Sequence, residues 1–125
     1  MPKQKAESKP KKKINSRQKG ARGERSFAKM LREYGYEAER GCQHSGGKDS
    51  PDVKCNMSRC HWEVKCVEKL NLQKALEQSE RDAGENEMPL VAHKKNRGKW
   101  YVTMPFDEWI KLYKAYEKEI RNEND

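Results

Sequence analysis

Residues 51–67 read PDVKCNMSRCHWEVKCV: two short β-prone runs, 51–56 and 60–67, around a polar turn near Met57-Ser58. Such a pair predicts two antiparallel strands. Successive side chains on a strand point to opposite faces. Trp62, Val64 and Cys66 therefore share one face, suited to a core, while Glu63 and Lys65 share the other. Charged groups on a half-buried strand cost stability unless a partner or a ligand meets them. A tight turn at Met57-Ser58 sets Asp52 opposite Glu63, on the face that carries Lys65. Cross-strand neighbours have Cβ atoms roughly 5 Å apart. Two carboxylates that close repel unless a cation lies between them. Carboxylate oxygens completed by water suit Mg²⁺ or Mn²⁺. Met57-Ser58 is a poor two-residue turn sequence, so a wider loop is the alternative.

On the N-terminal side, Ala21, Glu24, Phe27, Ala28, Leu31 and Tyr34 recur at three- and four-residue steps. That spacing predicts a helix over 20–34, with Gly35 as its stop. Glu24 lies on the apolar stripe, where an acid is unusual. If the helix packs over the sheet, Glu24 reaches the same site; otherwise it pairs with Arg22 or Arg25. Residues 36–40 read as a short strand and 41–50 as a polar loop with Gly46-Gly47. On the C-terminal side, a helix over 71–83 carries Leu72, Ala75, Leu76, Ser79 and Ala83 on one face. Residues 89–94 and 99–103 form a hairpin around Asn96-Arg97-Gly98. A third helix starts near Pro105, with Phe106, Trp109, Ile110, Tyr113, Tyr116 and Ile120 as its apolar face. The order helix, three strands, helix, two strands, helix predicts a mixed α/β (α+β) fold. A central mixed sheet of about five strands would be flanked by helices.

The chain has 125 residues, with 28 Lys+Arg against 20 Asp+Glu, a formal net charge of +8 and only 33% hydrophobic residues. That length fits one domain. Residues 1–19 hold eight Lys or Arg and one acid, Glu7, while the rest of the chain is almost neutral. A segment so charged and so poor in apolar residues cannot order itself by burial. Residues 1–19 are thus expected to be a disordered basic arm that follows nucleic-acid phosphates, or simply a solubility tail. The folded domain is expected over 20–120, with a frayed acidic end at 121–125. No apolar run is long enough for a membrane span or a signal-peptide core. Four cysteines in a lysine-rich chain without a signal argue for reduced thiols in a cytosol. A secreted disulfide mini-protein, a collagenous chain and a membrane protein are excluded.

The ordered set of motifs resembles the PD-(D/E)XK nuclease superfamily, especially its small Holliday-junction-resolvase-like branch from archaea and phages. The residues that carry the resemblance are Gly20-Ala21-Arg22-Gly23-Glu24-Arg25, Arg40 leading into Ser45, Gly46 and Gly47, Pro51-Asp52, and Glu63-Val64-Lys65. The resemblance spans 20–113. It implies a restriction-endonuclease-like sheet, a divalent metal and hydrolysis of phosphodiesters in branched DNA. It also implies a homodimer working in the cytoplasm of a bacterial or phage-infected cell. Carried over by position, Glu24, Asp52, Glu63 and Lys65 are the catalytic set. Asp52, Glu63 and the Val64 carbonyl would hold Mg²⁺ (or Mn²⁺). Lys65 would orient the attacking water and stabilise charge on the phosphate. Arg22, Arg40, Ser45 and Gln78 would contact DNA or assist beside it. Alternatives are a nicking or single-strand nuclease of the same fold, a non-catalytic DNA-binding module, and a zinc-stabilised interaction domain.

The zinc alternative draws on Cys42, Cys55, Cys60 and His61. The spacing lacks paired Cys-x-x-Cys knuckles, and His61 lies on the Glu63 face, away from Cys60. Cys66 fits the core face. Zinc is therefore not expected. His44 is either a DNA contact or solvated, and His93 is expected to be structural. Lys94, Lys95, Arg97 and Lys99 surround the second hairpin turn. They read either as a solvated turn or as a phosphate-gripping finger, with Lys94 and Arg97 as its DNA-binding candidates. Trp100, Trp109, Tyr113 and Tyr116 are expected in the core or in a dimer interface.

Overall fold

The structure, a computed structural model, describes residues 16–41 and 51–124. Ser45, Cys42, His44 and most of the basic arm lie outside the described residues. Helix α1 spans Ser16–Glu33. Strands β1 (Ala38–Arg40), β2 (Val53–Cys55) and β3 (Cys60–Cys66) follow. Then come α2 (Leu72–Asp82), β4 (Met88–Lys94), β5 (Tyr101–Thr103) and α3 (Phe106–Asn124). The five strands form one sheet in chain order. β1–β2, β2–β3 and β4–β5 pair antiparallel, while β3 and β4 run parallel, joined by the α2 crossover. This is the mixed sheet flanked by helices that the sequence predicts.

α1 lies on the sheet face carrying Trp62 and Val64, where Phe27, Ala28 and Leu31 join Val53, Leu90 and Ala92 in the main core. Phe27 packs edge-on to Trp62, with ring centroids 4.8 Å apart. Losing such a buried ring costs about 3–5 kcal/mol. The approach of helix to sheet depends on Gly23. A Cβ there would sit 2.9 Å from the Cβ of Cys66, so Cys66 lies on the α1 side of the sheet as its alternation predicts, half-buried beside the main core. α2 covers the other face. Asn71 caps it, its side chain accepting the Lys74 N–H at 3.1 Å, and Ala75 and Ser79 are buried.

Most strands are a residue or more shorter than the sequence reading, and three further differences have a physical reason. α1 begins at Ser16 and so takes in residues 16–19, which were assigned to the arm. Arg17, Gln18 and Lys19 are good helix formers that need no core to continue a turn. α3 runs on to Asn124 instead of fraying at 121. Its last turns carry an i,i+4 pair, Arg121 to Glu117, at 3.8 Å. The β2–β3 connection is a four-residue loop, 56–59, with Arg59 at φ 63°, instead of a two-residue turn. The expected core role of Trp109, Tyr113 and Tyr116 is overturned. They are exposed, and α3 buries no residue among those described. Trp100 does pack inward, 5.0 Å from Phe27. Among the described residues, no helix is long and apolar enough to cross a membrane.

Candidate active site

The site forms where β2 meets β3. Val53 pairs with Trp62, and the Asp52 N–H donates to the Trp62 carbonyl at 2.9 Å. That is the register anticipated from the sequence. Asp52 sits in a bend just before β2, where its carboxylate turns toward the β3 backbone. There Oδ2 accepts the Val64 N–H at 2.8 Å. The N–H and C=O of one residue in a strand project to the same side. The Val64 carbonyl therefore faces the gap occupied by the Asp52 carboxylate. Gly41 fixes Asp52 from behind, its N–H donating to the Asp52 carbonyl at 2.8 Å.

Glu63 is 1% exposed, and its Oε1 finds no hydrogen-bond partner. A buried polar atom left in that state costs about 1–3 kcal/mol, more when charged. Asp52 registers the same crowding. Burial first, then repulsion from Glu63, raises its pKa from 3.8 to about 7, and Glu24 adds to the rise. The Val64 N–H and Lys65 pull the other way without offsetting it. Glu24, Glu63 and Lys65 thus all lie within electrostatic reach of Asp52.

Lys65 projects toward α2, where its Nζ lies 3.3 Å from the Gln78 Oε1. Gln78 is therefore a partner of Lys65. Glu24 pairs with neither Arg22 nor Arg25 in the contacts seen. Its Oε1 accepts from the Arg40 Nε at 2.7 Å. Arg40, assigned to phosphate from the sequence, is thus joined to the acid beside Asp52. Arg22 is exposed on α1. Lys94 and Arg97 stand apart, at the β4–β5 end. The Lys94 ammonium lies 5.5 Å from the Trp100 ring, and Arg97 is exposed at φ 62° in the turn.

His61 was weighed only as a zinc candidate, yet it is fully buried beside Glu63. Its Nδ1 is 3.1 Å from the Glu87 Oε1, and its Nε2 is 3.7 Å from the Glu63 Oε2. The longer distance is an ionic contact, too long for a hydrogen bond. The proximity of Glu63 raises the imidazole pKa, burial works against the rise, and Glu87 supports it. Alternation along β3 already placed residues 61, 63 and 65 on one face. Nothing in the sequence announced Glu87, which arrives from the α2–β4 loop and also accepts the Gly84 N–H at 2.7 Å.

Among the described residues, no group of three or more His, Cys, Asp or Glu side chains is arranged to enclose a metal. Two carboxylates and a main-chain carbonyl leave most of a coordination sphere to water, which is how Mg²⁺ is commonly held. A cation between Asp52 and Glu63 would relieve both the orphaned oxygen and the raised Asp52. The donor set therefore fits a hard divalent ion. Cys55, Cys60 and Cys66 are free thiols, and burial, then Cys55, pushes the Cys60 thiol up.

A mixed sheet with a Pro-Asp bend, a Glu-x-Lys strand and an acid on the packed helix defines a nuclease of the PD-(D/E)XK class. Residues 15–124 match the family described as "Phage putative PDDEXK endonuclease", and the chain belongs to that family. The fold is also similar to the 1.6 Å structure of Hjc, a Holliday junction resolvase from the archaeal hyperthermophile Archaeoglobus fulgidus. The two share 29% identity at a TM-score of 0.53, over 69% of this chain and 72% of Hjc. Among curated proteins, no significant relative is found.

Proposed function

We propose that this chain is a divalent-metal-dependent endonuclease that hydrolyses phosphodiester bonds in branched DNA, in the manner of a junction resolvase. The observation that carries the reading is the pairing of Asp52, raised to about 7, with the buried Glu63, whose Oε1 has no hydrogen-bond partner, two residues before Lys65. Membership of an endonuclease family supports the reaction class, and the likeness to Hjc supports the branched substrate.

Asp52, Glu63 and the Val64 carbonyl would hold Mg²⁺ or Mn²⁺. The bound ion would polarise the scissile phosphate and lower the pKa of a bound water. Lys65 supplies an ammonium at the same place, steadied by Gln78, to orient the attacking water and take up charge developing on the phosphate. His61, tied to Glu87 on its other ring nitrogen, meets Glu63 from the buried side. Arg40, carried by Glu24, meets the phosphate backbone beside the site, with Arg22 and Ser45 as further contacts. Lys94 and Arg97 grip phosphates farther along.

The proposal extends to organisation. The nuclease domain extends from the start of α1 at Ser16 to the end of α3 at Asn124, and the basic residues ahead of it add salt-dependent affinity. Two chains related by a twofold axis would place two cuts symmetrically across a junction. The setting would be the cytoplasm of a bacterial or phage-infected cell.

The test is a substrate panel. Purified protein is incubated with labelled four-way junction, linear duplex and single strand, with Mg²⁺ or with EDTA. Metal-dependent cutting of the junction is expected, lost in Glu63→Ala and Lys65→Ala while binding persists. Cutting that survives both substitutions overturns the site. Equal cutting of all substrates removes the preference for branches and keeps the nuclease.

A further inference from the structure

The sheet face that carries Glu63 and Lys65 does not end with them. On the neighbouring strand β4, His93 is the register partner of Lys65 and lies where the chain leaves β3 at Val67. There a cleft of ≈ 660 Å³ opens between the 67–72 segment and the β4–β5 hairpin. That volume lies within the range of small-ligand sites, about 300–1,000 Å³. The lining divides by chemistry. Val67, Leu70 and Leu72 give an apolar wall, and exposed Lys69, Lys95 and Lys99 give cationic edges. One acid, Glu68, also lines it, but its carboxylate accepts the Asn96 N–H at 2.6 Å and is tied to the turn.

Tyr101 completes the cleft. It is 55% exposed, although it belongs to a strand. Its ring stacks on His93, with centroids 6.0 Å apart and planes at 27°. His93 is itself anchored, its Nε2 2.8 Å from the Thr103 Oγ1. The tyrosine ring is therefore braced from behind and presented to the opening. The Lys99 ammonium lies 5.6 Å from the ring centroid. Such an exposed cation–π contact is weaker than base stacking and gives way to it.

A braced aromatic ring opposite an apolar wall, with three ammonium groups at the edge, is the chemistry that recognises an unpaired nucleotide. The base stacks on the ring and its phosphate meets the lysines. Bases inside an intact duplex are already stacked and cannot reach such a ring. We propose that this cleft binds one unpaired nucleotide of the DNA substrate close to the cleavage site, and so favours DNA in which a base can leave the stack. The inference rests on the reading of DNA as substrate. It adds a site for the base, separate from the acids and Lys65.

The experiment uses the full chain in EDTA, so that no cutting enters. The protein is titrated with a short single strand carrying 2-aminopurine, and with a blunt duplex of the same sequence. Quenching of 2-aminopurine by the single strand alone is expected. Affinity should fall roughly tenfold in Tyr101→Ala and return in Tyr101→Phe, as base–aromatic stacking implies. Lys95→Ala and Lys99→Ala should each reduce the salt slope by about one. Absence of quenching, or unchanged affinity in Tyr101→Ala, overturns the inference. A dimer-to-monomer shift of Tyr101→Ala in sedimentation, at unchanged DNA affinity, also overturns it and gives the cleft to a second copy. Single-strand binding through Tyr101 by a chain that cuts nothing overturns the nuclease reading alone. Junction cutting with unaffected binding in Tyr101→Ala overturns the cleft alone.

Discussion

The carboxylate of Asp52 accepts the main-chain N–H of Val64 at 2.8 Å. This bond holds an acid against a strand where the residue preceding Val64, Glu63, repels it. Asp52 therefore retains its proton to about pH 7 in the folded chain without metal, against 3.8 for the free group. A raised acid binds its proton more tightly folded than unfolded. Stability must then fall as pH rises from about 4 to 7, by on the order of 4 kcal/mol. Asp52→Asn removes the charge and keeps an acceptor for Val64. In EDTA at pH 8 the variant should melt several degrees above the parent, and near pH 4 the two should converge. Coincident melting at pH 8 would show that the crowding is absent.

Metal reverses the sign. At pH 8, millimolar Mg²⁺ should raise the melting temperature of the parent chain, because it binds the folded state alone. The rise should vanish in Asp52→Asn and in Glu63→Gln. Scanning calorimetry with and without Mg²⁺ reads this directly. An undiminished rise in both variants places the ion elsewhere.

Lys65 and Gln78 should differ in kind. Removing a preorganised donor to developing charge costs about 10²–10³ in rate. Lys65→Ala should lose that much in single-turnover cutting. Gln78→Ala only frees the ammonium 3.3 Å away and should lose about tenfold or less. Equal losses would make Gln78 more than a support for Lys65.

His61 is enclosed between Glu63 and Glu87. Its removal leaves a buried acid facing a hole. His61→Ala should destabilise the fold by about 2 kcal/mol or more. Glu87→Gln keeps a side-chain oxygen for the imidazole and should cost less. Denaturant unfolding of both variants checks the order.

The Arg40–Glu24 pair should contribute little to stability, since the Arg40 side chain is 37% exposed. Exposed pairs contribute at most about 1 kcal/mol. Arg40→Ala should instead weaken junction binding and reduce its salt dependence by about one phosphate contact. A melting loss without any change in DNA affinity would confine Arg40 to holding Glu24.

Much of this was legible in the sequence. Alternation along 60–67 separated Trp62, Val64 and Cys66 from Glu63 and Lys65, because a buried strand leaves no freedom to exchange faces. The acid on the α1 stripe was legible for the same reason: Glu24 breaks a pattern that burial otherwise enforces. Val64 was not legible from pattern: its carbonyl entered only through the family resemblance, and its N–H holds Asp52. What escaped reading depends on chain segments far apart in sequence. Glu87 reaches His61 from a loop, a contact that leaves no periodic trace; Gln78 is expected beside the site from the resemblance, but its contact with Lys65 was not legible. α3 misled because its aromatic residues follow helical spacing, and spacing reports that a stripe exists without saying what covers it.

Gly41 and Pro51 touch so closely that a Cβ on Gly41 would lie 2.1 Å from the Pro51 carbonyl oxygen. The chain ends that flank positions 42–50 thus lie side by side, at a point that also anchors Asp52. Loop-closure entropy grows slowly, about 0.6 kcal/mol per doubling of length. This stretch is thus a natural graft point. An insert of another length between these two ends is expected to cost the fold little, provided the glycine is retained at the splice.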